Sequence, residues 1–255
     1  MNLIIEQFPA REDNFGVLVH DPETGDTLSI DAPEAEPIRS HLAARGWRLT
    51  DIFTTHHHAD HVEGNLALKQ EFGCTITGPT AEADRIPGID RRVGENDTLS
   101  FGGLEVSILE TPGHTLGHIS YWIPSASVAF VADTLFAMGC GRVFEGTPEM
   151  MWRSLEKLLA LPDDTTCYCG HEYTESNAKF AVTIEPDNAR LVARAAEVVE
   201  IRKAGQPTLP TTIKLEKETN PFLRVNEPSI RNRLGMETAS AAEIFAEIRR
   251  RKDNF

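Results

Sequence analysis

The sequence predicts an α+β protein, with strands and helices mixed through residues 1–172 and a smaller all-helical domain over residues 173–255. Three observations carry this. Strand-like and helix-like stretches alternate up to His171, and beyond it the periodicity is helical. The charge divides at the same place. Residues 1–172 hold 11 Lys and Arg against 27 Asp and Glu, a net of −16, and residues 173–255 hold 14 against 12, a net of +2; together they give the −14 of the 255-residue chain. All nine histidines lie at or before His171.

The elements follow in chain order. Val17-Leu18-Val19 and Leu28-Ser29-Ile30 flank the turn-rich Asp21-Pro22-Glu23-Thr24-Gly25-Asp26 and read as a hairpin. Residues 37–45 read as a helix stopped by Gly46. Asp51-Ile52-Phe53-Thr54-Thr55 has the β-branched and aromatic content of a strand. A helix over 62–72 ends at Gly73. Residues 104–109 alternate apolar and polar, the period of a half-buried strand. Val128-Ala129-Phe130-Val131-Ala132 is continuously apolar, as a strand buried on both faces is. Thr147-Pro148 caps a helix with Trp152, Leu155, Leu158 and Leu159 on one face, closed by Pro162. Residues 165–169 form a short strand. Leu191, Ala195, Val198 and Val199 then recur at helical spacing up to Gly205, and residues 206–221 read as a connector. Ser240 and Glu243 form a capping box that opens a last helix running to Arg249-Arg250-Arg251-Lys252.

The net charge of −14 disfavours nucleic acid and anionic membranes as partners, because both need a basic surface. No apolar run is long enough to span a bilayer, and Met1–Glu6 lacks the basic start of a signal peptide. Cys74, Cys140, Cys167 and Cys169 match neither a zinc knuckle nor a CxxC pair, and are expected to be buried, reduced thiols in a cytoplasmic protein.

The chemistry concentrates in Thr55-His56-His57-His58-Ala59-Asp60-His61, directly after a strand. Imidazole and carboxylate suit a borderline divalent cation. Ligands packed into so short a loop cannot all serve one tetrahedral ion, so two adjacent ions are expected. His114, Asp133 and His171 each follow a further strand, where α/β folds place their sites.

THHHADH has the form THxHxDH, and with His114, Asp133 and His171 it resembles the metallo-β-lactamase superfamily over residues 1–172. The resemblance implies an αββα sandwich with the site at one edge. It places His56, His58 and His114 on one metal and Asp60, His61 and His171 on a second, with Asp133 bridging. His57 occupies the variable position and reads as a supporting or surface residue. Four further stretches are similar to the glyoxalase II family: Gly139–Gly146, Cys169–Thr174, Asn220-Pro221-Phe222-Leu223-Arg224 and Arg251–Phe255. That likeness implies a glutathione-binding role for the helical domain, with Arg142, Phe144, Tyr173, Arg249 and Lys252 as substrate contacts. The family often has Lys at position 142 and Tyr at position 144, so here the charge survives and one hydroxyl contact is lost. Without the resemblance, the basic cluster at 249–252 would read as a helix C-terminus favouring cations.

The implied reaction is hydrolysis of S-D-lactoylglutathione and related 2-hydroxyacylglutathiones to glutathione and D-lactate, the second step of methylglyoxal detoxification. A hydroxide held between two divalent ions would be the nucleophile, with Asp133 bridging and Asp60 orienting it. Zinc is the first expectation for the ions, and iron or manganese suit the same donors. A cytoplasmic monomer acting on a small-molecule thioester is expected. Two rival readings stand beside this one: another hydrolase of the superfamily, such as a lactonase or β-lactamase, and a persulfide dioxygenase with one iron. A non-catalytic scaffold should lack ligands, and none is missing here.

Overall fold

The computed structural model describes residues 3–255; Met1 and Asn2, the head of the stretch read for a leader, lie outside the described residues. The chain forms two compact units. One runs up to Glu110 and takes in Leu116–Val131; the other comprises Thr111–Thr115 and Ala132–Phe255.

In the first unit β1 (Ile4–Ala10), β2 (Asn14–His20) and β3 (Thr27–Ile30) pair antiparallel. The β2–β3 turn is fixed by Asp21, whose carboxylate accepts from the Glu23 amide (2.9 Å) and the Thr24 hydroxyl (3.0 Å). The sheet then continues in parallel through β4 (Asp51–Phe53), β5 (Thr75–Pro79) and β6 (Arg91–Val93). Parallel pairing requires crossovers. The first two are α1 (Ala35–Arg45), ended by Gly46 in the left-handed region, and the pair α2 (Ala59–Val62) and α3 (Asn65–Phe72), ended likewise by Gly73; the third passes through the short helical turn Thr80–Arg85.

The single helix expected over 62–72 is therefore broken, and the reason is local. The Ala32 amide donates to the His61 carbonyl (2.8 Å), and the Gly64 amide donates to the Ala32 carbonyl (2.9 Å). A side chain at Gly64 would lie 3.0 Å from that carbonyl, so this crossing of backbones favours glycine. Ile38, Leu42 and Leu68 of the helices bury against Leu18, Ile52 and Ile76 of the sheet.

A second, antiparallel set in the same unit runs β7 (Leu99–Phe101), β8 (Leu104–Glu110), β9 (Ile119–Ile123) and β10 (Val128–Ala132). Burial alternates along most of β8 and is continuous along β10, as the two sequence patterns require. The two sheets meet where the Tyr121 ring lies 5.2 Å from Phe53 and its hydroxyl donates to the Thr54 carbonyl at 2.7 Å.

The second unit contains the small hairpin β11 (Leu135–Phe136) and β12 (Gly139–Cys140), α4 (Pro148–Leu159), β13 (Thr166–Cys169), α5 (Thr174–Ile184), α6 (Ala189–Lys203), β14 (Thr211–Thr212), α7 (Ile213–Thr219), α8 (Pro228–Leu234) and α9 (Ala241–Asp253). Thr147 caps α4 by accepting from the Met150 amide. Trp152, Leu155 and Leu158 are buried, whereas Leu159 is only partly so. The capping box of Ser240 and Glu243 opens α9 as expected. The α4 and α9 helices meet through Trp152 and Phe245, whose rings lie 6.3 Å apart.

The expected connector 206–221 instead contains β14 and α7. Thr212 both pairs with Thr166 and caps α7 by accepting from the Leu215 amide. The α6 helix also departs from its apolar pattern. Arg194, not Val199, is buried with Leu191 and Val198, because its guanidinium reaches Glu216 (2.7 Å), Thr219 (2.6 Å) and Thr211 (3.0 Å).

All four cysteines are free and buried. Burial pushes the thiols of Cys74 and Cys140 up to about 11, so they remain protonated and unreactive near neutrality. No described helix is long and apolar enough to cross a membrane.

Candidate metal centre and substrate groups

The chain passes from the end of β4 into the histidine loop under the control of Asp31, which follows β3 directly. One Asp31 oxygen accepts from the Thr55 amide (2.7 Å); the other accepts from the Thr55 hydroxyl (2.9 Å) and lies 2.7 Å from His61 Nδ1. A Thr55 hydroxyl that donates to Asp31 can only accept from His56 Nδ1, 3.0 Å away. That fixes the His56 proton on Nδ1 and leaves Nε2 as a lone pair. His56 Nε2 faces His58 Nδ1 at 3.1 Å, and Asp60 and His61 offer ligand atoms within 4.8 Å of one another. Asn14 holds Asp60 at both its carbonyl and its carboxylate, each at 3.1 Å.

His57 is a buried support. Its amide and its Nδ1 both meet one Glu82 oxygen (2.8 and 2.7 Å), while the other Glu82 oxygen accepts from the Gly117 amide at 2.8 Å. His118, fully buried, stacks on His56 at 4.9 Å. Metal-binding imidazoles generally have their second nitrogen fixed by an outer acceptor, and loss of that acceptor costs about 10–100-fold in metal affinity. Asp31→Ala is therefore expected to weaken metal retention by about that factor, read by chelator competition, with turnover falling in parallel.

The second unit carries the remaining predicted ligands. Asp133 follows β10, His171 follows β13, and His114 lies in the segment after β8. Asp133 Oδ2 sits 3.4 Å from His114 Nε2 and 3.3 Å from His171 Nε2. His114 Nδ1 donates to the Arg142 carbonyl at 2.9 Å, which again leaves Nε2 as the lone pair. A buried carboxylate between two imidazoles, with the proton-free Nε2 of His114 facing it, suits a shared cation, and the donor set fits a borderline divalent ion.

The predicted substrate groups gather beside these ligands within the same unit. Tyr173 stacks flat on His171, with ring centroids 4.8 Å apart and planes 4° apart. Phe144 lies 5.2 Å from His114 and leaves 62% of its surface open. Arg142 is exposed, with Nε 3.9 Å from Asp253. Lys252 is half-buried over the rings of Phe180 and Phe255 and donates to the Ser176 carbonyl (3.0 Å) and hydroxyl (3.1 Å). Burial, then the neighbouring charges of Arg249 and Arg142, push its ammonium down to about 8.

Arg249 differs from the others. It is only 6% exposed, donates to the Cys140 carbonyl (3.1 Å), pairs with Asp253 (2.8 Å) and stacks over Phe222. Arg250 and Arg251 both pair with Glu247 and pull its carboxyl down to about 2.

Residues 24–171 match the model of the metallo-beta-lactamase superfamily, and residues 172–255 match that of the hydroxyacylglutathione hydrolase C-terminus. A hydroxyacylglutathione hydrolase of Rhizobium meliloti is 58% identical over 253 residues, covering 99% of this chain and 99% of that protein. The chain belongs to the hydroxyacylglutathione hydrolase family. A hydroxyacylglutathione hydrolase of Brucella anthropi is also 58% identical, over 99% of this chain and 97% of that protein. The crystal structure of ETHE1 from Myxococcus xanthus superposes with a TM-score of 0.70 at 27% identity, covering 97% of this chain and 90% of that one. Membership of the hydroxyacylglutathione hydrolase family bears out the α+β reading, a metallo-β-lactamase-type fold followed by a helical region.

Asp31, Glu82, His118 and Asn14 escaped the sequence reading. Asp31 had a usable signal, since it is a carboxylate at a strand end like Asp133. Glu82 lies in a short helical turn with nothing in the sequence to mark it.

Proposed function

We propose that this chain hydrolyses S-D-lactoylglutathione and related 2-hydroxyacylglutathiones to glutathione and the free hydroxy acid, as a monomeric binuclear metallohydrolase in the cytoplasmic disposal of methylglyoxal. The observation that carries the reading is a complete set of seven imidazole and carboxylate donors on a chain that aligns end to end with hydroxyacylglutathione hydrolases. His56, His58 and His114 would hold one ion, Asp60, His61 and His171 the other, and Asp133 both. Zinc is the first candidate, with iron and manganese acceptable to the same donors. When bound, the ions supply Lewis acidity and bring the pKa of water towards neutrality.

The chain's own residues do the rest. Asp60, steadied by Asn14, would accept a hydrogen bond from the nucleophile. The leaving group is a thiolate, stable enough near neutrality to depart without a dedicated acid. Residues 1–172 would carry the chemistry, and residues 173–255 would chiefly supply the grip on glutathione. Arg142 and Lys252 suit its carboxylates, Tyr173 and Phe144 offer ring faces, and Arg249 would act from beneath through the Cys140 carbonyl and Asp253. The match of residues 172–255 to the hydroxyacylglutathione hydrolase C-terminus favours this over a persulfide dioxygenase or a β-lactamase.

Purified protein should hold two metal ions per chain and release thiol from S-D-lactoylglutathione without consuming oxygen. Metal-loaded protein that released no thiol would refute the reading.

Lys252 gives the reaction a pH signature. Its ammonium titrates near 8 in the free protein, and a bound carboxylate favours the charged form. Substrate binding is then coupled to proton uptake above that pH. KM should be flat from pH 6 to about 7.5 and rise as pH passes about 8, with kcat little changed. In Lys252→Ala, KM should be higher throughout and lose that rise, as read from initial rates across the range.

A further inference from the structure

The motif Asn220-Pro221-Phe222-Leu223-Arg224 has no part in the scheme above, yet Asn220 is fully buried. Its side-chain amide donates to the carbonyls of Phe136 (3.2 Å) and Gly139 (2.9 Å) and to Glu216 Oε2 (3.0 Å). Those two carbonyls belong to the β11–β12 hairpin, whose two-residue turn places Met138 in the left-handed region, at φ 59°. The same hairpin is held at every other step. The Ala137 carbonyl accepts from Asn177 (3.1 Å), the Met138 amide donates to Glu216 Oε2 (2.8 Å), and the Cys140 carbonyl accepts from Arg249 (3.1 Å). Five consecutive residues thus each lend a backbone group to a buried side chain from α5, α7, α9 or the residue that ends α7. No room is left for adjustment: a side chain at Gly139 would meet Asn177 at 2.4 Å.

The base of this hairpin is the ligand site. Asp133 lies two residues before it. The Gly141 amide closes it on the Thr134 carbonyl (3.3 Å), and a side chain at Gly141 would stand 1.8 Å from the Asp133 carbonyl. One residue further, the Arg142 carbonyl orients His114 through Nδ1. The hairpin therefore sets two quantities at once: where the Asp133 carboxylate stands, and how the His114 ring is turned.

We propose that Asn220, Asn177 and Glu216 are positioning residues for the metal centre, so that the helical region acts as a mould for Asp133 and His114 besides any grip on substrate. The inference rests on the reading of Asp133 as a shared metal ligand. Hydrogen bonds one shell out from a metal ligand typically control affinity by about 10–100-fold.

The test compares metal retention, by chelator competition on folded protein, with thermal stability of the metal-free protein. Asn220→Ala and Asn177→Ala act one step further out, through the hairpin backbone, and should each release metal more readily by up to about 10-fold, the lower end of that range. Ile230→Ala, a buried apolar truncation in α8, should lower Tm and leave retention unchanged. If Asn220→Ala does not fold, Asn177→Ala, which removes one hydrogen bond, decides alone. Wild-type retention in the folded variants, or an equal loss in Ile230→Ala, would overturn the proposal. Asp133→Ala separates the two layers: if it too retained both ions, the ligand reading itself would be wrong.

Discussion

Asp133→Ala is expected to leave the fold intact, strip the protein of at least one metal equivalent, and lower kcat/KM by about three orders of magnitude, on the order of 4 kcal/mol of transition-state stabilisation. The carboxylate stands between two imidazoles at 3.4 and 3.3 Å. With it gone, His114 and His171 would keep their rings but lose the anion that, on the proposed assignment, offsets a second cation close to the first. Metal analysis and a thiol-release assay on the same sample check both parts. Two tightly held ions with near-normal kcat would contradict the assignment of Asp133.

Arg194→Ala is expected to cost about 3–5 kcal/mol of stability, the usual penalty for leaving one member of a buried ion pair without the other. Glu216 is completely buried. One oxygen faces Arg194 and Thr211, and the other takes the Met138 amide and Asn220. Without the guanidinium, that carboxylate must either stay charged among neutral donors or take up a proton and lose acceptor strength. For a chain of this size the loss corresponds to a fall in Tm of about 10 °C, read by calorimetry. An unchanged Tm would mean that the network around Glu216 contributes little to folding.

What the sequence made legible has a physical pattern. Strands buried in a consistent way announce themselves: β8 alternates and β10 is continuously apolar because one has a wet face and the other does not. Helix ends with a glycine in the left-handed region, at Gly46 and Gly73, were also readable, because only the backbone decides them. The metal-type residues could be found because each follows a strand. The break at Gly64 could not be found, since it depends on Ala32, 32 residues away in the chain. Arg194 was hidden for the same reason, because a helical pattern treats a cation as solvent-facing unless its distant partner is known. The residues that orient ligands, Asp31 and Glu82 above all, look like ordinary acids until the ring nitrogens they hold are located.

Tyr173 lies flat on His171, and the chain has only three tyrosines. Tyr121 is sealed inside the first unit and Tyr168 is half-buried, which leaves Tyr173 as the one most open to solvent. A phenol ring stacked on a prospective ligand forms a native optical probe. Its near-ultraviolet band should shift as His171 gains or loses a cation, and a paramagnetic ion should broaden its proton resonances. Occupancy of that position could then be followed in the unlabelled protein without any substrate present.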